Sequence, residues 1–131
     1  MEIIESDVVI IGGGPAGCTC ALYTSRSNLK TVILDKNPSV GALAITHQIA
    51  NYPGVPVDIS GEKLLTLMRD QAVQYGTDYR RAQVFGIDAT GEWKMVYTPE
   101  GTLKLKHLYL QVEPWVGLHH LREKRIFLVK E

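Results

Sequence analysis

The sequence predicts an α/β fold in which a parallel βαβ unit and a second helix are followed by a three-stranded β-meander. Three observations predict it. An apolar run, Val8 to Ile11, leads into IIGGGPAG at residues 10–17; a second β-branched run, Thr31 to Leu34, ends at an acid, Asp35; and strand-like segments recur after residue 77 with turn residues between them. A helix-forming stretch separates the first two runs, and a crossover of that kind joins parallel strands.

The first strand is expected over Asp7 to Ile11 and stops at glycines. Gly12, Gly14 and Gly17 then give GxGxxG at the entrance to a helix running from Pro15 to about Asn28. Such a turn lets a pyrophosphate approach the backbone, where the free N–H groups and positive dipole end of a helix meet its charge. Pro15 fits the first helical turn, where a missing N–H costs little. The small residues Ala16, Cys20 and Ala21 allow that helix to lie close to a sheet. Asp35 follows Gly17 by eighteen residues, where a carboxylate accepts from a ribose 2′-hydroxyl and repels a 2′-phosphate.

From Lys36 to Gly61 the chain is rich in glycine, proline and small residues, and a segment that long usually has a function. Ser60 is the expected N-cap of the second helix. Leu64, Leu67, Met68, Ala72 and Val73 are its expected core stripe, and Gly76 ends it. Asp78 to Asp88, Trp93 to Thr98 and Thr102 to Leu110 read as the three meander strands. Arg80 and Arg81 read as a solvated strand face rather than an anion site.

Composition narrows the partners. Lysine plus arginine and aspartate plus glutamate stand at 14 each, so no global field draws the chain to nucleic acid or an anionic membrane. No apolar run approaches a membrane span, and the opening MEIIES carries acid where a signal peptide is basic, so a cytoplasmic location is expected. Cys18 and Cys20, the two cysteines, are spaced CxC on a helix, point to different faces and are expected to pack rather than to form a disulfide. His119 and His120 lack further spaced ligands, and no metal site is expected.

DVVIIGGGPAG, the acid after the second strand, GALAITHQIANYPGVP, a capped helix and a meander occur in an order that resembles the N-terminal part of thioredoxin reductase and related flavoprotein disulfide oxidoreductases. The resemblance covers residues 6–110, THQIANYPG is its most specific block, and GALAIT is similar to the cyanobacterial branch. It implies a Rossmann-like FAD-binding half-domain. It places Gly12, Gly13, Gly14, Pro15, Ala16 and Gly17 at the pyrophosphate and Asp35, with Lys36 beside it, at the adenosine end. Gly41, Ala42, Thr46 and Asn51 would belong to the loop around the flavin, although the family's glutamine is replaced at Ala42 and its side-chain contact is lost. Val84, in the first meander strand, matches a position whose backbone lies against adenine. The residues alone leave FAD and NAD as alternatives. In the family, electrons pass between flavin and a disulfide, usually from NADPH, in a homodimer whose partner is a thioredoxin-like protein. The family's CxxC and second glycine-rich motif occur nowhere in these 131 residues.

Three readings follow: the FAD-binding portion of an oxidoreductase, a non-catalytic dinucleotide-binding module, and an inactive truncated gene product. The expected division is an FAD-binding segment over residues 1–110 and an atypical tail over 111–131. Where relatives read something like KALILATGA, this chain reads KHLYLQVEP. Read across codon boundaries from Leu110 onward, the permitted residues resemble the family's ATGAMGR strand end and then its PGE linker. The tail after about Lys106 is therefore expected to stem from a reading-frame slip, with Trp115, Leu118, Ile126, Phe127 and Leu128 never selected to bury together.

Overall fold

The computed structural model describes residues 2–39, 41–112 and 126–130. In chain order the elements are β1 (Glu2–Ile11), α1 (Pro15–Arg26), β2 (Thr31–Asp35), α2 (Gly61–Gln74), β3 (Asp78–Arg81), β4 (Gly86–Asp88), β5 (Lys94–Thr98), β6 (Gly101–Val112) and β7 (Ile126–Lys130). The strands follow the order β3-β2-β1-β6-β5-β4, and β7 pairs with β6. Pairs β1–β2, β2–β3, β1–β6 and β6–β7 are parallel, while β4–β5 and β5–β6 are antiparallel. The predicted parallel βαβ unit, second helix and three-stranded meander are thus all present.

Two strands are longer than the rest because each serves two neighbourhoods. Residues Gly101–Leu105 of β6 pair with β5 on one side and with Glu2–Ser6 of β1 on the other. Further along, Leu108–Leu110 still pair with β1 but now face Ile126–Leu128 of β7. The start of β1 was not expected as strand, since Glu2 and Glu5 interrupt its apolar pattern; the partner β6 supplies the ladder that the local sequence does not advertise.

The segment expected as one strand, Asp78 to Asp88, is two. β3 adds to the parallel side against β2, and the Ala82 N–H donates to the Asp35 carbonyl at 3.0 Å. The chain then crosses to the meander, where the Phe85 N–H donates to the Tyr97 carbonyl at 3.0 Å and β4 begins. Val84 therefore lies in this crossing, not in a strand.

Side-chain alternation divides the core. Val8, Ile10 and Ile33 pack with Cys18, Ala21, Leu65 and Ala72 under the helices. Val9, Val32 and Leu34, their strand neighbours, pack on the opposite face with Val96, Leu103, Leu105, Leu108 and Leu110. A cavity of about 150 Å³ lined by Leu34 and Ala82 together with Ile4 and Leu103 shows that the starts of β1 and β6 lie over the end of β2.

In α2 the buried stripe is Gly61, Leu64, Leu65 and Ala72 with Met68 partly buried, whereas Leu67 and Val73 are exposed. The expected stripe was rotated because Leu65 faces the sheet and Leu67 does not. Ser60 caps this helix as expected, accepting from the Lys63 N–H at 3.2 Å. Gly76 follows it with φ of 105°, a conformation other residues rarely adopt.

Among its described residues, the long segment before α2 carries no helix or strand but is packed. Ile49 and Ile59 form a small core with Leu64, and their backbones bond at 2.9 Å. Trp115, Leu118, His119 and His120 lie outside the described residues, and so does most of the stretch assigned to a frame slip.

Candidate functional site

The glycine turn after β1 meets the end of β2. Gly12 adopts φ of 111°, and its N–H donates to the Leu34 carbonyl at 2.9 Å, so the turn is tied to the neighbouring strand. A Cβ on Gly13 would stand 2.5 Å from Asp35 Oδ2 and 3.0 Å from the Tyr79 ring. The Asp35 carboxylate thus rests directly on the turn, and only glycine permits this approach.

Gly14 is the N-cap of α1 in an extended conformation, and Pro15 opens the helix. No side-chain hydrogen bond caps this end and its own first turn holds no acid, so the nearby carboxylate is that of Asp35 on the neighbouring strand. Gly17 is buried, which lets the helix start lie close to the sheet. The structure accordingly brings the turn from Gly12 to Gly17 and Asp35 together at the start of α1. Lys36 is exposed just beyond it.

Two residues that the sequence did not single out complete this site. Tyr79 stands opposite Ile33 in the parallel register of β2 and β3, which turns its ring to the helix face, and its hydroxyl donates to Asp35 Oδ2. Arg69 of α2 places its guanidinium 4.6 Å from the Tyr79 ring centre. Its Nε is buried with no hydrogen-bond partner among the described residues. Burial, and then the Asp35 hydrogen bond and charge, push the Tyr79 phenol well above its ordinary range. A strand-edge tyrosine and a mid-helix arginine carry no motif; the register of β3 brings Tyr79 to Asp35, and α2 lays Arg69 over its ring.

The cysteines are structural. Cys18 is buried, its thiol donates to the Gly13 carbonyl at 3.4 Å, and burial pushes its pKa up to about 11. Cys20 is half-buried and burial raises its pKa also. Neither holds the thiolate that disulfide exchange needs at neutral pH.

The loop expected around a flavin is held partly by its own groups. Gly41 has φ of 140°. The Thr46 hydroxyl donates to the Ala42 carbonyl at 2.6 Å, and the Thr46 carbonyl accepts from the Gly61 N–H at 2.8 Å. Gly61 is required here, because a Cβ would meet the Leu43 carbonyl at 1.8 Å. Leu43 and Ala44 pack on the cluster containing Cys18, which places the start of this loop against α1. Asn51 is exposed, and Val84 packs on the other face of the sheet. The structure therefore joins the glycine turn to Asp35 but brings neither Asn51 nor Val84 into that cluster. Among the described residues no group of three histidine, cysteine or acidic side chains suits a metal ion, and no helix is long and apolar enough to cross a membrane.

The pattern of a family described as an NAD(P)-binding Rossmann-like domain matches residues 10–75, about half of the chain. The chain belongs to this Rossmann-like family. Within it, the chain is similar to thioredoxin reductases: that of Aquifex aeolicus is 47% identical over 95 residues, covering 72% of this chain and 29% of the relative. The thioredoxin reductase of Peptoclostridium acidaminophilum is 34% identical over 104 residues, covering 79% of this chain and 33% of the relative. A solved thioredoxin reductase from Gloeobacter violaceus has a TM-score of 0.82 and 66% identity, over 84% of this chain and 35% of that one. The Rossmann-like chain thus spans about a third of the length of these relatives, a coverage that fits an N-terminal fragment of a thioredoxin reductase-like oxidoreductase.

Proposed function

We propose that this chain is the FAD-binding portion of a thioredoxin reductase-like oxidoreductase that passes electrons between flavin and a protein disulfide. The observation that carries the reading is the contact between Gly13 and Asp35, a cradle that a single Cβ would fill. The residues present fit a dinucleotide. The helix start at Gly14 to Gly17 offers its dipole to a pyrophosphate, and Asp35 offers an acceptor to a ribose hydroxyl. Gly41 to Thr46 would lie toward the flavin side, with Asn51 and Val84 as further contacts carried over from the family. FAD would supply the two-electron redox chemistry, and the chain's own residues bind and orient it.

The acid favours FAD over NADP. A 2′-phosphate would place negative charge against the Asp35 carboxylate, which Gly13 and Tyr79 hold in place. Equilibrating the purified chain with FAD and with NADP tests this directly, and tighter NADP binding would falsify it.

The isolated chain is expected to have no NADPH-dependent disulfide reductase activity. It contains no CxxC, and Cys18 and Cys20 are protonated and packed. The thioredoxin-like partner, the NADPH site, the homodimer and a cytoplasmic location belong to the proposed complete protein. Turnover of a disulfide dye with FAD and NADPH, in a sample shown by mass to lack any full-length enzyme, would overturn this part. The tail after about Lys106 is proposed to arise from a frame slip, which resequencing through codon 131 and beyond decides.

A further inference from the structure

We propose that Tyr79, backed by Arg69, is a positioning residue that holds the Asp35 carboxylate for the adenosine ribose and so sets the preference for a free 2′-hydroxyl. This deepens the FAD-binding reading and rests on it.

The Asp35 side chain sits at the end of β2, where nothing in its own strand fixes its rotation. Two neighbours do so. Gly13 limits it on one side, since Oδ2 occupies the space that a Cβ would need. The Tyr79 hydroxyl donates to that same Oδ2. With Oδ2 engaged by the phenol and packed against Gly13, Oδ1 is the less encumbered acceptor for a ribose hydroxyl.

Tyr79 is itself held on its far side. The Arg69 guanidinium lies 4.6 Å from its ring centre, and the ring packs in the helix-face cluster with Ile33 and Cys18 nearby. The guanidinium charge also lowers what burial and Asp35 raise in the phenol. Arg69 therefore backs the ring from its far side without bonding to the carboxylate, which leaves Asp35 free to accept from the ligand. A direct arginine–aspartate pair would consume that acceptor. The buried Nε has no hydrogen-bond partner among the described residues, and the guanidinium is placed by stacking on the ring.

The test compares FAD with its 2′-deoxyadenosine analogue on wild type, Tyr79→Phe and Asp35→Asn. Wild type should bind FAD more tightly than the deoxy analogue. Tyr79→Phe keeps the ring and its packing but removes the donor, so FAD affinity should fall several-fold, up to about tenfold, as expected for loss of a hydrogen bond to a charged group. Affinity for the deoxy analogue should change little, and the ratio between the two ligands should shrink. A purely structural role for Tyr79 would weaken both ligands equally, and that result overturns the inference. Wild-type affinity and ratio in Tyr79→Phe would overturn it too, while leaving FAD binding itself intact. Failure of the wild type to bind FAD would instead overturn the functional reading and the inference with it. An ultraviolet titration of the ligand-free protein adds an independent readout. One tyrosine should ionise above the rest in wild type, disappear in Tyr79→Phe and move down in Asp35→Asn; an unchanged high-titrating tyrosine in Asp35→Asn counts against the coupling.

Discussion

The two faces of the sheet are built from alternate residues of the same strands, yet only one of them ends in the polar cluster proposed as the nucleotide site. On the meander face Val9, Val32 and Leu34 meet Leu103, Leu105 and Leu108, an apolar seam closed by a folded-over pair of strands. On the helix face Ile10 and Ile33 are just as buried, but the strand ends there present Gly13, Asp35 and Tyr79 to the start of α1. Leu34 and Asp35 are adjacent in sequence and serve opposite purposes. The difference teaches that the site is located by where a strand stops. Along the buried middle of β2, alternation demands apolar residues on both faces; at its last residue, Asp35, the helix-face position is released for polar work.

Changes on each face should separate binding from stability. The largest effect on binding is expected for Gly14→Val and Gly13→Val. A side chain at Gly14 occupies the space proposed for the pyrophosphate, and one at Gly13 displaces Asp35 Oδ2, so measurable FAD binding should be lost in a titration followed by flavin fluorescence. Retention of binding by both variants would place the nucleotide elsewhere.

Leu105→Ala tests the opposite face. Leu105 is fully buried in the meander seam, so urea unfolding should show a loss of about 2–5 kcal/mol. At temperatures where the variant remains folded, its FAD affinity should match wild type. A selective loss of FAD affinity without destabilisation would show that the two faces are not separable.

A smaller effect concerns pH. The Cys18 pKa is about 11 in the fold against an ordinary 9.0, so the folded chain keeps a proton that the unfolded chain releases. The contribution is complete below pH 9 and is lost as pH rises from there through about 11. Cys18→Ala should flatten the stability profile across that window, while an unchanged alkaline slope would mean that other groups control it.

The smallest effect is expected at the cap of α2. Removing the Ser60 hydroxyl in Ser60→Ala leaves the Lys63 N–H without this partner and should cost about 0.5–2 kcal/mol in thermal or urea unfolding. Because α2 carries Arg69, a drop in FAD affinity beyond this loss would extend the site's dependence to the helix start.

By itself the sequence determined the βαβ unit, the second helix and the meander, because each has a local signature: glycines after an apolar run, an acid closing a second one, a serine cap, and turns between alternating strands. It also determined that Gly12 to Gly17 and Asp35 belong together, since their spacing is set by one helix and one crossover. Tertiary structure decided the rest. The extension of β1 back to Glu2, the division of Asp78 to Asp88 into β3 and β4, and the burial of Leu65 in place of Leu67 all depend on partners distant in sequence. Tyr79 joins Asp35, and Arg69 the Tyr79 ring, for the same reason. A parallel register of β2 with β3 chooses which face Tyr79 takes, a slip of one residue would turn it away, and no residue within either strand records that choice.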